Sequence, residues 1–265
     1  MTEGTLYFKE HFLSSDVDWI VFIHGAGGSS ATWYKQIKTL KHHYNLLLID
    51  LRGHGRSCSY IDEASVNNYS FNLIVNDVLK VLDKNNIAKA HFIGMSLGTI
   101  IVRHLAEIKP SVVLSMTLAG AVVSLTSAAN MLAILGNACK SIIPYLWLYK
   151  FFAWIIMPHR SQKEARKLFI REARSLKRIE FRHWFALIGE VDELMKRLAV
   201  NKPTCPTLYV MGDKDRFFLN LVRKTVTESS LCSIYVINNC GHVCNIEKNE
   251  EFNQIVIDFI ESHRS

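Results

Sequence analysis

Apolar residues recur along the chain in short, strand-length runs. Residues 19–23, 46–49, 90–93, 112–118, 207–211 and 233–237 are each rich in Ile, Val or Leu. The first five end on turn residues: His24-Gly25, Asp50, Gly94, Ala119-Gly120 and Gly212. Continuous apolar runs of this length predict strands buried on both faces of a parallel sheet. Between them the period lengthens. Residues 71–82 place Leu73, Ile74, Val78, Leu79 and Leu82 at helical spacing, and 97–108 and 252–260 follow the same rule. Strand alternating with helix predicts an α/β fold with a mostly parallel central sheet flanked by helices. Ligands in such sheets bind where the strands end.

Residues 121–200 break the rhythm. They read as helical throughout and contain no good strand. They are expected to form a helical lid inserted after the fourth recognisable core strand, over a core built from residues 1–120 and 201–265. Residues 131–157 are especially apolar. A membrane span is not expected there: Lys140, Pro144 and Lys150 interrupt the stretch, so no run reaches the roughly 20 residues required. These side chains are expected to pack over the core and partly to line an acyl-binding pocket, with Trp147 and Phe151 as candidates.

The 265 residues are enough for one large domain, and 49% of them are hydrophobic. The N-terminus has no basic segment followed by an apolar one, so no signal peptide is expected. Six scattered cysteines in a chain of this size favour a reduced, cytoplasmic setting. Cys240, His242 and Cys244 lack a second ligand pair at matching spacing, so no metal is expected. The net charge of +7 is localised, because residues 121–200 hold thirteen lysines and arginines against six acidic residues. Arg160, Lys163, Lys167, Arg171, Arg174, Arg178 and Arg182 follow one another at spacings of three and four. That predicts a stripe on one face of a long helix. It is either a solvated face or a docking surface for an acidic partner or an anionic membrane. No nucleic-acid-binding motif accompanies it.

Gly94-Met95-Ser96-Leu97-Gly98 matches G-x-S-x-G, with a strand leading in and a helix leading out. A sharp strand-to-helix turn needs glycines on both sides of the serine and lifts its hydroxyl above the sheet edge. A serine hydroxyl needs a base, and the base needs an orienting carboxylate. His242 follows the last run, and Asp213 and Asp215 follow the fifth, giving the order Ser, Asp, His. The N–H of Leu97, at the positive end of its helix, would stabilise an oxyanion. A second donor should come from the loop His24-Gly25-Ala26-Gly27-Gly28. That loop lacks the spacing of either common phosphate-binding glycine motif.

Four segments together carry a family resemblance: His24-Gly25 with its loop, Asp50-Leu51-Arg52-Gly53-His54-Gly55-Arg56-Ser57, residues 94–98, and Gly212–Asp215 with Gly241-His242. The chain resembles the α/β-hydrolase superfamily in its small, cofactor-free serine esterase and C–C hydrolase branch. The resemblance implies Ser96 as nucleophile, His242 as base, Asp215 rather than Asp213 as the acid, and Ala26 and Leu97 as oxyanion donors. It implies that His24 shapes its loop and that Arg52 and His54 stabilise a turn. His24, Gly25 and Met95 are expected beside the substrate. No cofactor is implied. Thr99, Phe217 and Phe218 depart from the family pattern without touching the triad. The chain is also similar to pimeloyl-acyl-carrier-protein methyl ester esterases, which implies acyl carrier protein as a partner at the basic lid. The expected activity is hydrolysis of a carboxylic ester with a hydrophobic acyl chain. C–C hydrolysis, lyase chemistry or acyl transfer on the same triad, and ligand sensing by a triad-bearing protein, stand as alternatives.

Overall fold

The computed structural model describes residues 5–59, 69–124 and 143–263. The part of the apolar insertion before residue 143, including Met131 and Lys140, lies outside them. Among the described residues seven strands form one sheet: β1 (Phe8–His11), β2 (Trp19–Ile23), β3 (Asn45–Ile49), β4 (Ala90–Met95), β5 (Val113–Ala119), β6 (Thr207–Gly212) and β7 (Cys232–Ile237). Their spatial order is β1-β3-β2-β4-β5-β6-β7, and all neighbours are parallel except β1 on β3. The six expected strands are present. β1 was not expected, and its sequence explains why: Lys9 and Glu10 are its exposed centre, as suits a short edge strand.

The chain leaves β2 to build β3 on one side, then returns to build β4 on the other. Strand order therefore reverses between β2 and β4, and a crevice opens beyond their C-terminal ends. The loop at residues 24–28 leaves β2 at that point, and Ser96 leaves β4.

Alternation along the strands divides the core between the two faces. Val21 and Ile23 join one cluster with α2 (Phe71–Lys84) and α3 (Leu97–Ile108). Ile20 and Phe22 join the other with α1 (Tyr34–Leu40), on the face that also receives the C-terminal helix. α2 starts where Ser70 Oγ accepts the Leu73 N–H at 3.1 Å, and it turns Ile74, Val78 and Val81 inward.

The insertion contributes α4 (Tyr145–Ile156), α5 (Lys163–Ala173), α6 (Arg178–Ala186) and α7 (Ile188–Val200). The last of these joins the main core through Val191, Leu194, Met195 and Leu198. The first three build smaller clusters of their own around Tyr149, Phe181 and Leu168. After β6 come α8 (Leu219–Val226), α9 (Cys244–Glu247) and α10 (Asn249–Glu261).

The basic stripe does not lie on one long helix. α5 ends at Ala173, and Lys177 is extended before α6 begins. Leu176 turns into the interior at 2% exposure, and Ser175 Oγ donates to the Glu172 carbonyl at 2.7 Å. Burying Leu176 requires a change of direction that a continuous helix would not allow. The cations of the stripe are exposed on three separate segments.

Candidate active site

β4 delivers the chain into a turn at Ser96, whose φ of 52° lies in the left-handed region. Backbone strain of this kind costs a side-chain-bearing residue about 1–3 kcal/mol and is tolerated where its surroundings hold it. Here the Ser96 N–H donates to the Ala119 carbonyl at 3.0 Å, and its carbonyl accepts from the Thr99 N–H and hydroxyl. The flanking glycines are required by space. A Cβ on Gly94 would sit 2.7 Å from the Gly98 carbonyl oxygen, and one on Gly98 would collide with the Ile23 carbonyl.

His242 arrives from the loop after β7. Its Nε2 lies 3.0 Å from Ser96 Oγ and its Nδ1 lies 2.7 Å from Asp215 Oδ2. The Nδ1–H donates to the carboxylate, which leaves the Nε2 lone pair facing the hydroxyl. Asp215 is held by the N–H groups of Phe217 and Phe218, which donate to its Oδ1. His242 and Asp215 are each 4% exposed, so their attraction is little screened. Asp213 sits apart from this series. Its Oδ1 accepts the Cys240 N–H at 3.0 Å and ties two loops together.

Glu247 was not singled out in the sequence. Its Oε2 accepts the Gly241 N–H at 3.0 Å and its Oε1 accepts the Val243 N–H at 3.3 Å. One carboxylate thus clamps the backbone on both sides of His242. Burial raises its pKa, and the hydrogen bonds it accepts oppose that rise. Gln162 of the insertion also reaches it. Glu247→Ala is expected to lower kcat about 10- to 100-fold with KM little changed, because misplacing a base by about 1 Å costs on that order. Steady-state kinetics on any turned-over substrate checks this, and an unchanged kcat would remove Glu247 from the account.

Two buried histidines shape the loop after β2. His54 Nε2 accepts the Gly27 N–H at 3.0 Å, while its Nδ1–H donates to the Arg52 carbonyl. His24 Nε2 accepts the Leu51 N–H at 3.0 Å, and its Nδ1–H donates to the Gly25 carbonyl. Both rings are therefore held neutral by geometry. Burial pushes the His24 pKa down to about 4; burial and the neighbouring His24 push that of His54 down to about 3. Arg52 pairs with the buried Asp77 through Nε and Nη2, at 2.8 and 2.9 Å. Its carbonyl also accepts the Trp184 indole N–H, which ties α6 to this turn.

A cavity of about 340 Å³ opens on Ser96. Gly25, Ala26, Met95, Leu97 and His242 form its floor, and Tyr149, Phe152, Ile156, Trp184 and Phe185 of the insertion form its roof. Among the described residues, no lysine or arginine lines it. Three expected substrate contacts require correction. His24 is fully buried beneath the loop and outside the cavity wall. Trp147 and Phe151 are 67% and 48% exposed, on the opposite side of α4 from the cavity. Tyr149, Phe152, Ala153 and Ile156 occupy the inner face at spacings of three, one and three.

A family model described as alpha/beta hydrolase fold matches residues 18–140. The chain is 25% identical over 250 residues to 3-oxoadipate enol-lactonase 1 of Acinetobacter baylyi, covering 92% of this chain and 88% of that protein. It is 23% identical to a 2-hydroxy-6-oxononadienedioate/2-hydroxy-6-oxononatrienedioate hydrolase of Cupriavidus pinatubonensis, covering 97% and 92%. The enol-lactonase from Burkholderia xenovorans superposes with a TM-score of 0.81 at 20% identity, over 97% of this chain and 96% of that one.

Proposed function

The chain belongs to the α/β-hydrolase superfamily, and from that premise we propose that it is a serine hydrolase cleaving carboxylic esters, open or cyclic, with a hydrophobic acyl part. The observation that carries this reading is the hydrogen-bonded series Asp215–His242–Ser96 opening on an apolar cavity. Ser96 Oγ attacks the ester carbonyl as His242 Nε2 takes its proton. The imidazolium that forms is stabilised by Asp215. The oxyanion is received by the N–H groups of Ala26 and Leu97, both on the cavity wall. His242 then protonates the leaving alcohol, and water repeats the sequence on the acyl-enzyme.

The likeness to relatives supports the reaction class more than the substrate. A dioate brings two negative charges, and burying a carboxylate without a cationic partner is costly. The apolar lining therefore supports a neutral acyl chain over a dicarboxylate. The second reading, a dioate hydrolase like the Cupriavidus relative, is favoured by sequence similarity alone.

A series of p-nitrophenyl esters of increasing chain length tests the proposal. kcat/KM is expected to rise about fourfold per added methylene until the cavity is filled, since each buried CH₂ is worth about 0.8 kcal/mol. Phe152→Ala should move the optimum to longer chains. A flat profile, or a preference for carboxylated substrates, would reject the hydrophobic acyl part. Product analysis on a vinylogous diketone substrate separates ester cleavage from C–C cleavage.

A further inference from the structure

Apart from Lys150, α4 is apolar or aromatic around its whole circumference, with the sequence Tyr-Leu-Trp-Leu-Tyr-Lys-Phe-Phe-Ala-Trp-Ile-Ile. A helix of that kind is ordinarily buried on all sides. Its inner face covers the cavity. Its outer face is in solvent: Trp147, Lys150, Phe151 and Trp154 lie at spacings of three, one and three, and the three aromatic residues are 67%, 48% and 57% exposed. Large aromatic side chains clustered on one exposed face mark an interaction surface.

Cations accompany the aromatic residues. Lys150 Nζ lies 5.8 Å from the Trp147 ring centre, and the Arg166 guanidinium lies over Trp154 at 3.7 Å. α5, packed directly on α4, exposes Lys163, Lys167 and Arg171. The insertion holds an excess of seven positive charges, which equals the net charge of the whole chain. A second copy of the chain fits this face poorly, because a two-fold contact would bring these like charges together. A negatively charged surface with an apolar layer beneath fits both features. Tryptophan and phenylalanine seat at the headgroup boundary, and lysine and arginine reach the phosphates.

The geometry points to the outer face of α4 as a docking surface for an anionic lipid bilayer, with Trp147, Phe151 and Trp154 inserted at the headgroup level. This inference does not depend on the reaction proposed above. Among the described residues no helix is long and apolar enough to cross a membrane.

Sedimentation of the purified chain with sucrose-loaded vesicles tests it. The protein is expected to pellet with phosphatidylcholine vesicles carrying phosphatidylglycerol, to remain in solution with phosphatidylcholine alone, and to be released by salt. Trp147→Ser with Phe151→Ser should weaken the partition by about tenfold or more. Its melting temperature and its hydrolysis of a soluble ester should stay unchanged. Lys163→Glu with Lys167→Glu should remove the preference for the anionic lipid. Absence of pelleting, equal binding to both vesicle types, or full binding by the aromatic double variant would each overturn the proposal. So would a dimer that the aromatic variant converts to monomer, which would assign the face to a second copy. Co-elution with acyl carrier protein in place of vesicle binding would assign the surface to an acidic protein instead.

Discussion

Ser96→Ala is expected to lower kcat by about 10⁵- to 10⁶-fold and to abolish labelling by a fluorophosphonate. The size of the loss follows from what remains. Without the hydroxyl, His242 Nε2 has no proton to take from protein, and the acyl-enzyme cannot form. Ala26 and Leu97 still line the cavity, so the weak binding and carbonyl polarisation expected of their N–H groups persist. KM should therefore change little. Alanine also relieves no strain, because the φ of 52° at residue 96 is imposed by the turn and not by the hydroxyl. Fold and melting temperature should be close to those of the parent. Turnover within a few-fold of the parent on the best ester of the chain-length series would sink the nucleophile assignment.

The second large effect is on acid stability. His24 and His54 each use Nε2 as an acceptor for a backbone N–H, from Leu51 and Gly27 respectively. Protonation there would replace each hydrogen bond by a clash of two donors, in a site where a charge is poorly solvated. Their folded pKa values of about 4 and about 3 lie below the ordinary 6.5. The sign follows directly. A group depressed in the folded state contributes stability that is present above its unfolded pKa and is lost as pH falls. Between about pH 6 and pH 4 the unfolded chain takes up two protons that the folded chain refuses. Each costs about 1.4 kcal/mol per pH unit, so the pair removes a large part of an ordinary domain's stability across that window. The melting temperature is expected to fall steeply from pH 6 to pH 4, and His54→Gln should roughly halve the slope while lowering stability at neutral pH. A melting temperature that is flat across this range would contradict the neutral tautomers.

What was legible in the sequence follows from where its physics is local. β3, β4 and β6 are buried along their whole length, so each appears as a largely apolar run bounded by turn residues. β1 is an edge strand with charges at its centre and gives no such signal. Ser96, Asp215 and His242, which the structure brings together, could be grouped from the sequence because each follows a strand, and parallel strands bring their ends to one side of the sheet. The phase of α4 was not legible. A helix apolar on every side carries no periodic signal, so Trp147 and Phe151 could not be told from Tyr149 and Phe152 before the packing was seen. The basic stripe kept its spacing through a break at residues 174–177, where a buried Leu176 turns the chain. Glu247 escaped notice because its role is to hold backbone, which any acidic residue near a loop could do.

The Arg52 carbonyl accepts from two donors, the His54 ring that fixes the loop after β2 and the Trp184 indole that roofs the cavity. Changing Trp184 to admit a bulkier substrate would therefore disturb the machinery that sets the rate. Changing Phe152 or Ile156 on α4 would not, since neither shares a polar partner with the loop. Substrate range in this protein is thus free to drift at Phe152 and Ile156 at little cost in turnover, while at Trp184 on α6, and at Tyr149 on α4, which packs against Gly27 of the same loop, range and rate are coupled and must be altered together.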